Sequence, residues 1–193
     1  MSPNLEVADH DLMARLAEGE DLALNELMDR WSARVVSFLH RMTGQREIAT
    51  DLAQETFVKL YQARERYQPT GNFSTYLFAI ASNLAKNHAR WKSNHPTVSM
   101  DATPESGIET MHELADPGLS PAASAEAAER FRAVHKAFLR LPTDLCEALS
   151  LFIYEDLSYA EIAAIAQCSP KAVETRIYRA RQLLKEQLSE LFS

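Results

Sequence analysis

Lys171, Arg176, Arg179, Arg181 and Lys185 all stand within "SPKAVETRIYRARQLLK", residues 169–185 of a chain whose formal net charge is -7. Cations so closely grouped attract an array of phosphates, while the acidic balance of the rest of the chain limits indiscriminate binding. At about 100° per residue the stretch divides into two sides. Val173, Ile177, Ala180 and Leu184 fall on one; Lys171, Glu174, Thr175, Tyr178, Gln182 and Lys185 fall on the other, with Arg179 beside them and Arg176 and Arg181 on the flanks. Such a helix can lay its polar side in a DNA groove, arginines along the phosphates and shorter polar groups at base edges. Glu174 repels phosphate, yet it can accept from the exocyclic amine of cytosine, or pair with Lys171 or Arg181.

Two further faces carry chemistry. In "REIATDLAQETFVKLYQARERY", Ala49, Leu52, Ala53, Thr56, Phe57 and Leu60 make an apolar stripe, and Asp51, Gln54, Glu55, Val58 and Gln62 lie opposite. An acidic, amide-bearing face around one exposed valine suits docking to a basic helical partner. In "STYLFAIASNLAKNHARWK", Tyr76, Leu77, Ile80, Ala81, Leu84 and His88 make the expected buried stripe, with Ser82, Asn83, Lys86 and Arg90 opposite and Asn87 at the margin. Amides and cations without a carboxylate suit phosphates and base edges. Tyr67, Phe73, Tyr76 and Trp91 flank that face, where rings can hold unstacked bases.

The elements that position these faces are helices. Aliphatic residues recur at steps of three and four, and five glycines leave little material for tight turns, so the expectation is an all-α protein. Leu24, Leu27, Met28, Trp31, Val35, Leu39 and Met42 predict a long helix that stops at Gly44. "YQPTGNF" predicts a turn. Phe131, Val134, Phe138 and Leu141 predict a helix ended by Pro142, and "DLCEALSLFIY" a second one. Ser158 and Glu161 stand in capping-box register, and Ser169 and Pro170 suit the cap and first position of the next helix. Only Gln167, Cys168 and Ser169 separate the two, which reads as a helix-turn-helix.

Charge places the boundaries. Residues 1–92 and 126–193 each net -1, while residues 93–125 hold Asp101, Glu105, Glu109, Glu113 and Asp116 with no Lys or Arg, and four prolines. We therefore expect two small helical domains, 1–92 and 126–193, on an acidic flexible linker over 93–125. A tether of that length has a root-mean-square span of ~30 Å and an extended limit of ~100 Å. Cys146 and Cys168 and the scattered histidines form neither a disulfide framework nor a metal motif, and no glycine-rich phosphate loop or nucleophile motif stands out. The expectation is a protein with no catalytic residues, no cofactor and no metal. No apolar run approaches the ~18–20 residues of a membrane helix, and the start lacks a leader pattern. A cytoplasmic protein with no membrane segment of its own is expected.

"DLAQETFVKLY", "FSTYLFAIASNLAKNHAR" and "LSYAEIAAIAQCSPKAVETRIYRARQLL" together resemble three successive signatures of the extracytoplasmic-function (ECF) group of bacterial RNA polymerase sigma factors, in the family's order. The resemblance implies a non-enzymatic initiation factor that binds core RNA polymerase and promoter DNA and is held by an anti-sigma factor. It implies that Asp51, Gln54, Glu55 and Val58 meet the coiled coil of the polymerase β′ subunit. Asn83, Lys86, Asn87 and Arg90 would read the -10 element, and the Tyr67–Phe73 loop would capture a flipped base. Lys171, Glu174, Thr175, Arg176, Tyr178 and Arg179 would read the -35 element. The chain departs from the family pattern at Gln167, where glycine is common, at Ala172, and at Glu174, a position often basic. A sigma mimic that occupies an anti-sigma factor without touching DNA is the alternative, although this chain keeps the cations a mimic is free to lose. An ordinary helix-turn-helix repressor would leave the acidic face at Asp51–Glu55 without a purpose.

Overall fold

The computed structural model describes residues 3–95 and 121–191. The five linker carboxylates and Pro96, Pro104 and Pro117 lie outside the described residues. Among the described residues the regular structure is helical: α1 (Pro3–Ala17), α2 (Leu22–Thr43), α3 (Arg46–Gln62), a 3-10 turn (Arg64–Arg66), α4 (Phe73–Asn94), α5 (Pro121–Leu139), α6 (Thr143–Tyr154), α7 (Tyr159–Ala166) and α8 (Pro170–Leu191). Helix α4 thus runs two residues past the expected domain edge, and α5 starts before residue 126.

The local signals act as their chemistry dictates. Gly44 takes φ 73° and donates its N–H to His40 O, ending α2. Ser158 Oγ accepts from the Glu161 N–H while the Glu161 carboxylate accepts from the Ser158 N–H at 2.7 Å, a complete capping box. Ser169 Oγ accepts from the Ala172 N–H at 3.2 Å. Gln167 sits at φ 53°, ψ 48°, the left-handed conformation that glycine takes without strain and that costs a side-chain-bearing residue ~1–2 kcal/mol.

Helices α1–α4 pack around Trp31. Its indole N–H donates to Asp9 at 3.2 Å and its ring meets Phe73 and Phe78 edge-on, with centroids 5.6 and 6.2 Å away. Phe38 meets Phe78 the same way at 5.4 Å. Helix α1 is an addition to the sequence reading. Its signal was Leu12, Met13 and Leu16, all buried, ahead of a left-handed Gly19. Asp9, buried, ties α1 to α2 through Arg30 and Trp31; burial pushes its carboxyl above the usual range against those hydrogen bonds.

Helices α5–α8 build the second domain around Ala148, Leu149, Leu151, Ile162, Val173, Ile177 and Ala180, all buried. The two domains are in contact. Helix α4 packs on α7, and α2 packs on α5 and α6, so the buried apolar residues of both halves form one continuous cluster. This changes α4. Ser82, expected on the solvent side, is fully buried, because the second domain covers that side of the helix.

His40 of α2 and His135 of α5 stack across this junction, centroids 4.8 Å apart. Burial pushes His40 down to about 4, helped by the nearby His135, Arg46 and Arg41; burial and Arg41 also lower His135. The unfolded chain therefore binds more protons below the ordinary histidine range. Stability should hold level above pH ~6.5 and fall on acidification, by up to ~1.4 kcal/mol per pH unit for each histidine. Urea midpoints at pH 7, 6 and 5 check this, and His40→Leu should flatten the slope.

Candidate polymerase and nucleic-acid interfaces

Helix α3 buries Ala49, Ala53, Thr56, Phe57 and Leu60 against α2 and α4, as its apolar stripe predicts. Thr56 is accommodated there because its hydroxyl donates to Leu52 O at 2.8 Å. Asp51, Gln54, Glu55 and Val58 are consequently all exposed on the outer side, and Val58 keeps 52% of its surface. Glu55 pairs with Lys59, one turn on, at 3.4 Å. An exposed valine ringed by carboxylates and an amide is a small apolar seat with an acidic rim.

The second face is divided. Asn83, Asn87 and Arg90 are exposed on α4, with Arg90 3.4 Å from the Asn87 side-chain oxygen. Trp91 projects beside them, 54% exposed, stacked on His95 at 5.1 Å. Lys86 is different: its ammonium meets the Glu147 carboxylate of α6 at 2.8 Å and keeps only 28% of its side-chain exposure. Ser82 donates to the same carboxylate. In the loop before α4, Tyr67 is half-buried and its hydroxyl bonds to His10 Nδ1 at 2.7 Å. Phe73 is fully buried against Trp31, so a base has no access to it in this conformation. Asn72 instead donates to Glu161 of α7.

The third face, on α8, is open. Val173, Ile177 and Ala180 are buried and Leu184 is half-buried, so Lys171, Glu174, Thr175, Tyr178 and Arg179 face outward. Lys171 and Tyr178 are 80% and 64% exposed. Glu174 pairs with Lys171, one of the two cations offered to it, at 2.7 Å. Thr175 donates to Lys171 O at 2.9 Å. Arg176 does not join this face: its guanidinium turns inward, 3.4 Å from Asp144 and 3.6 Å from Cys168 Sγ. Arg181 lies over Phe152 at 5.3 Å. Cys146 is buried and donates to Arg41 O at 3.3 Å; burial pushes its thiol up to about 11, which suits a packing role.

Sequence reasoning missed Glu147, Glu155 and Glu161 as polar contacts between the domains. Glu147 left a faint signal, being a lone carboxylate in the run Leu145–Leu151, which is buried throughout. A charge at such a position requires a partner. Nothing local names that partner. Among the described residues no group of three or more His, Cys, Asp or Glu could hold a metal ion, and no helix is long and apolar enough to cross a membrane.

These faces can be set beside known proteins. Residues 27–94 match the sigma-70 region 2 family and residues 131–184 the sigma-70 region 4 family. The RNA polymerase sigma-H factor of Pseudomonas aeruginosa is 34% identical over 95% of both chains. The ECF RNA polymerase sigma-E factor of Haemophilus influenzae is 30% identical over 96% of this chain and 98% of its own. Among solved structures, CnrH in complex with the cytosolic domain of CnrY superposes with a TM-score of 0.66 at 25% identity, over 95% of this chain and 98% of that one. The helix-turn-helix domain and the helical domain before it thus define a two-domain transcription initiation factor. This chain belongs to the ECF group of RNA polymerase sigma-70 factors.

Proposed function

We propose that this sigma factor binds core polymerase through Asp51, Gln54, Glu55 and Val58, and reads the -10 element with the loop ending at Phe73 and with Asn83, Lys86, Asn87 and Arg90. Lys171, Glu174, Thr175, Tyr178 and Arg179 grip the -35 duplex, with Arg176 available there only if it leaves Asp144. The protein works in the cytoplasm under an anti-sigma factor. The observation that carries this reading is the exposure of two dissimilar polar faces: an acidic seat around Val58 on one domain and a cationic, non-aliphatic helix side on the other. The first suits a basic protein helix and the second a groove lined with phosphates.

Run-off transcription with purified core polymerase and this chain, followed by mapping of transcript starts, tests it; starts that do not depend on added protein would overturn it. A finer result concerns Glu174. Its pairing with Lys171 leaves a carboxylate oxygen at the groove face, so Glu174→Gln is expected to relax preference at one -35 base pair, by about 5- to 150-fold for a contact worth ~1–3 kcal/mol. Binding to a panel of single-base -35 variants reads this out. A uniform change across the panel would leave Glu174 as a surface ion pair only.

A further inference from the structure

The loop assigned to base capture takes its shape from its ends. Gln68, Pro69, Thr70 and Gly71 are all exposed, and a Cβ on Gly71 would meet nothing within 4 Å. Inside the stretch the Thr70 N–H donates to Gln68 O at 2.8 Å, which closes a tight turn within the loop. The far end is fixed by Phe73, buried beside Trp31. The near end is Tyr67, whose ring meets Tyr76 at 5.0 Å and Phe73 at 6.3 Å, both edge-on, and so spans the two ends of the loop.

A support for that ring comes from α1, which lies before the sigma-70 region 2 match that begins at residue 27. Tyr67 Oη bonds to His10 Nδ1 at 2.7 Å, and the two rings lie nearly parallel, with centroids 5.9 Å apart at 28°. His10 is itself firmly placed. Its neighbour Asp9 is buried and accepts from Arg30 at 3.0 Å and Trp31 at 3.2 Å on α2, and Leu12, Met13 and Leu16 are buried on the same helix. At about 100° per residue consecutive positions point to different sides, so Asp9 fastens α1 to α2 while His10 reaches the loop. Helix α1 also packs on the 3-10 turn Arg64–Arg66 that leads into Tyr67. A tyrosine turns about two side-chain torsions, and a bond at the tip of its ring with a second ring alongside fixes both. A ring held in this way loses no rotamer freedom when an unstacked base settles on it.

We propose that His10 is a positioning residue for the -10 strand: it holds the Tyr67 ring across the two ends of the loop, in the orientation on which the captured base stacks. This rests on the assignment of base capture to the Tyr67–Phe73 loop made above. His10 itself touches no nucleotide. Loss of its bond frees the Tyr67 ring to turn, and the captured base loses its platform while the phosphate contacts made by α4 are unaffected.

The test uses holoenzyme and a fluorescein-labelled single strand bearing the -10 non-template sequence of a promoter found by start mapping, together with copies that carry one abasic nucleotide at each position in turn. The parent is expected to lose about 5- to 150-fold in affinity at the captured position, the factor of one stacked base. His10→Phe, which keeps a ring and removes Nδ1, should shrink that base-to-abasic ratio by about threefold or more, the worth of one hydrogen bond between neutral groups, and leave affinity for the abasic strand within about twofold of the parent. Tyr67→Phe should shrink the ratio alike, and the double variant no further than either change alone. His10→Gln, whose amide can meet the hydroxyl, should keep a higher ratio than His10→Phe, and Asp11→Ala, at an exposed neighbour on α1, should match the parent. An unchanged ratio in His10→Phe overturns the proposal. So does an equal loss on base-bearing and abasic strands, which marks a structural contact only, or tighter binding by His10→Phe, which would make His10 a lid on the loop. If no abasic position weakens the parent, the base-capture assignment itself falls; if one does and His10→Phe keeps the ratio, only the role of His10 falls.

Discussion

Core RNA polymerase is expected to stop retaining this protein when Asp51 and Glu55 are both replaced by lysine, with affinity lost by a factor of about a hundred or more. Both side chains are exposed on α3 and neither holds the fold together: Asp51 has no ion-pair partner among the described residues, and Glu55 pairs with Lys59 at 3.4 Å on the same helix. A surface pair of that kind is worth ~0.3–0.5 kcal/mol, so the doubly reversed protein should unfold at nearly the parental urea concentration. Binding is affected far more. Each reversal replaces an attraction to a basic partner with a repulsion, and like charges brought together at an interface cost several kcal/mol. Val58→Ala, which removes the apolar centre of the same seat without changing charge, should weaken binding by a smaller factor, near tenfold for ~1–1.5 kcal/mol of lost burial. Co-purification with core enzyme, followed by competition against the parent chain, measures both effects. Retention of the double variant within threefold of the parent would mean that polymerase docks elsewhere.

The largest loss of stability is expected at Trp31. Trp31→Ala removes the ring that meets Phe73 and Phe78, and it takes the indole N–H from the buried Asp9 carboxylate, which then rests on Arg30. Truncating a core tryptophan costs about 3–5 kcal/mol, and weakening the solvation of a buried carboxylate adds ~1–3 kcal/mol. The sum is a large share of the ~5–15 kcal/mol that holds a typical domain folded. We expect urea unfolding of the variant to begin well below the parental midpoint. Trp31→Phe keeps most of the ring packing and should recover more than half of the loss, the remainder reflecting the missing indole N–H. The functional consequence follows from position, since Trp31 supports Phe73 and Phe78 at the start of α4 and stacks under the Arg34 guanidinium at 4.4 Å. A loss below ~1 kcal/mol would show that α1 and α4 are held by other contacts.

Much of the fold was legible because its signals are local. Gly44 ends α2, the Ser158–Glu161 box starts α7, and Ser169 with Pro170 starts α8. In each case a backbone donor or acceptor is satisfied by a residue within four positions, so the requirement is written beside the place where it is met. The apolar stripes of α2, α3 and α8 were legible for the same reason, since a helix returns a residue to the same side every three or four positions. Those stripes in turn leave Asp51, Gln54, Glu55 and Val58, and Lys171, Glu174, Thr175, Tyr178 and Arg179, nowhere to point but outward.

The helix α1 was missed because three apolar residues near a chain start are a weak pattern until a neighbour is present to cover them. Phe73 was read with its loop, although its ring inserts beside Trp31. Arg176 was read as a phosphate contact, although it turns to Asp144 and Cys168. A long cationic side chain on a helix flank can swing either way, and its choice depends on what the adjoining helix offers.

The sequence by itself determined the helices, their caps and the outward sides of α3 and α8, because each of these follows from spacing along one segment. Only the tertiary structure decided what happens to the outward side of α4. Ser82 is small and polar, and no periodicity distinguishes a buried serine from an exposed one. Its burial depends on Glu147, 65 positions away, on a helix of the other domain. Lys86 reads as a cation awaiting a phosphate, and in the folded chain it has already found an anion. Which partner an ammonium takes is a comparison between two distant groups in three dimensions, and a linear pattern holds only one of them at a time.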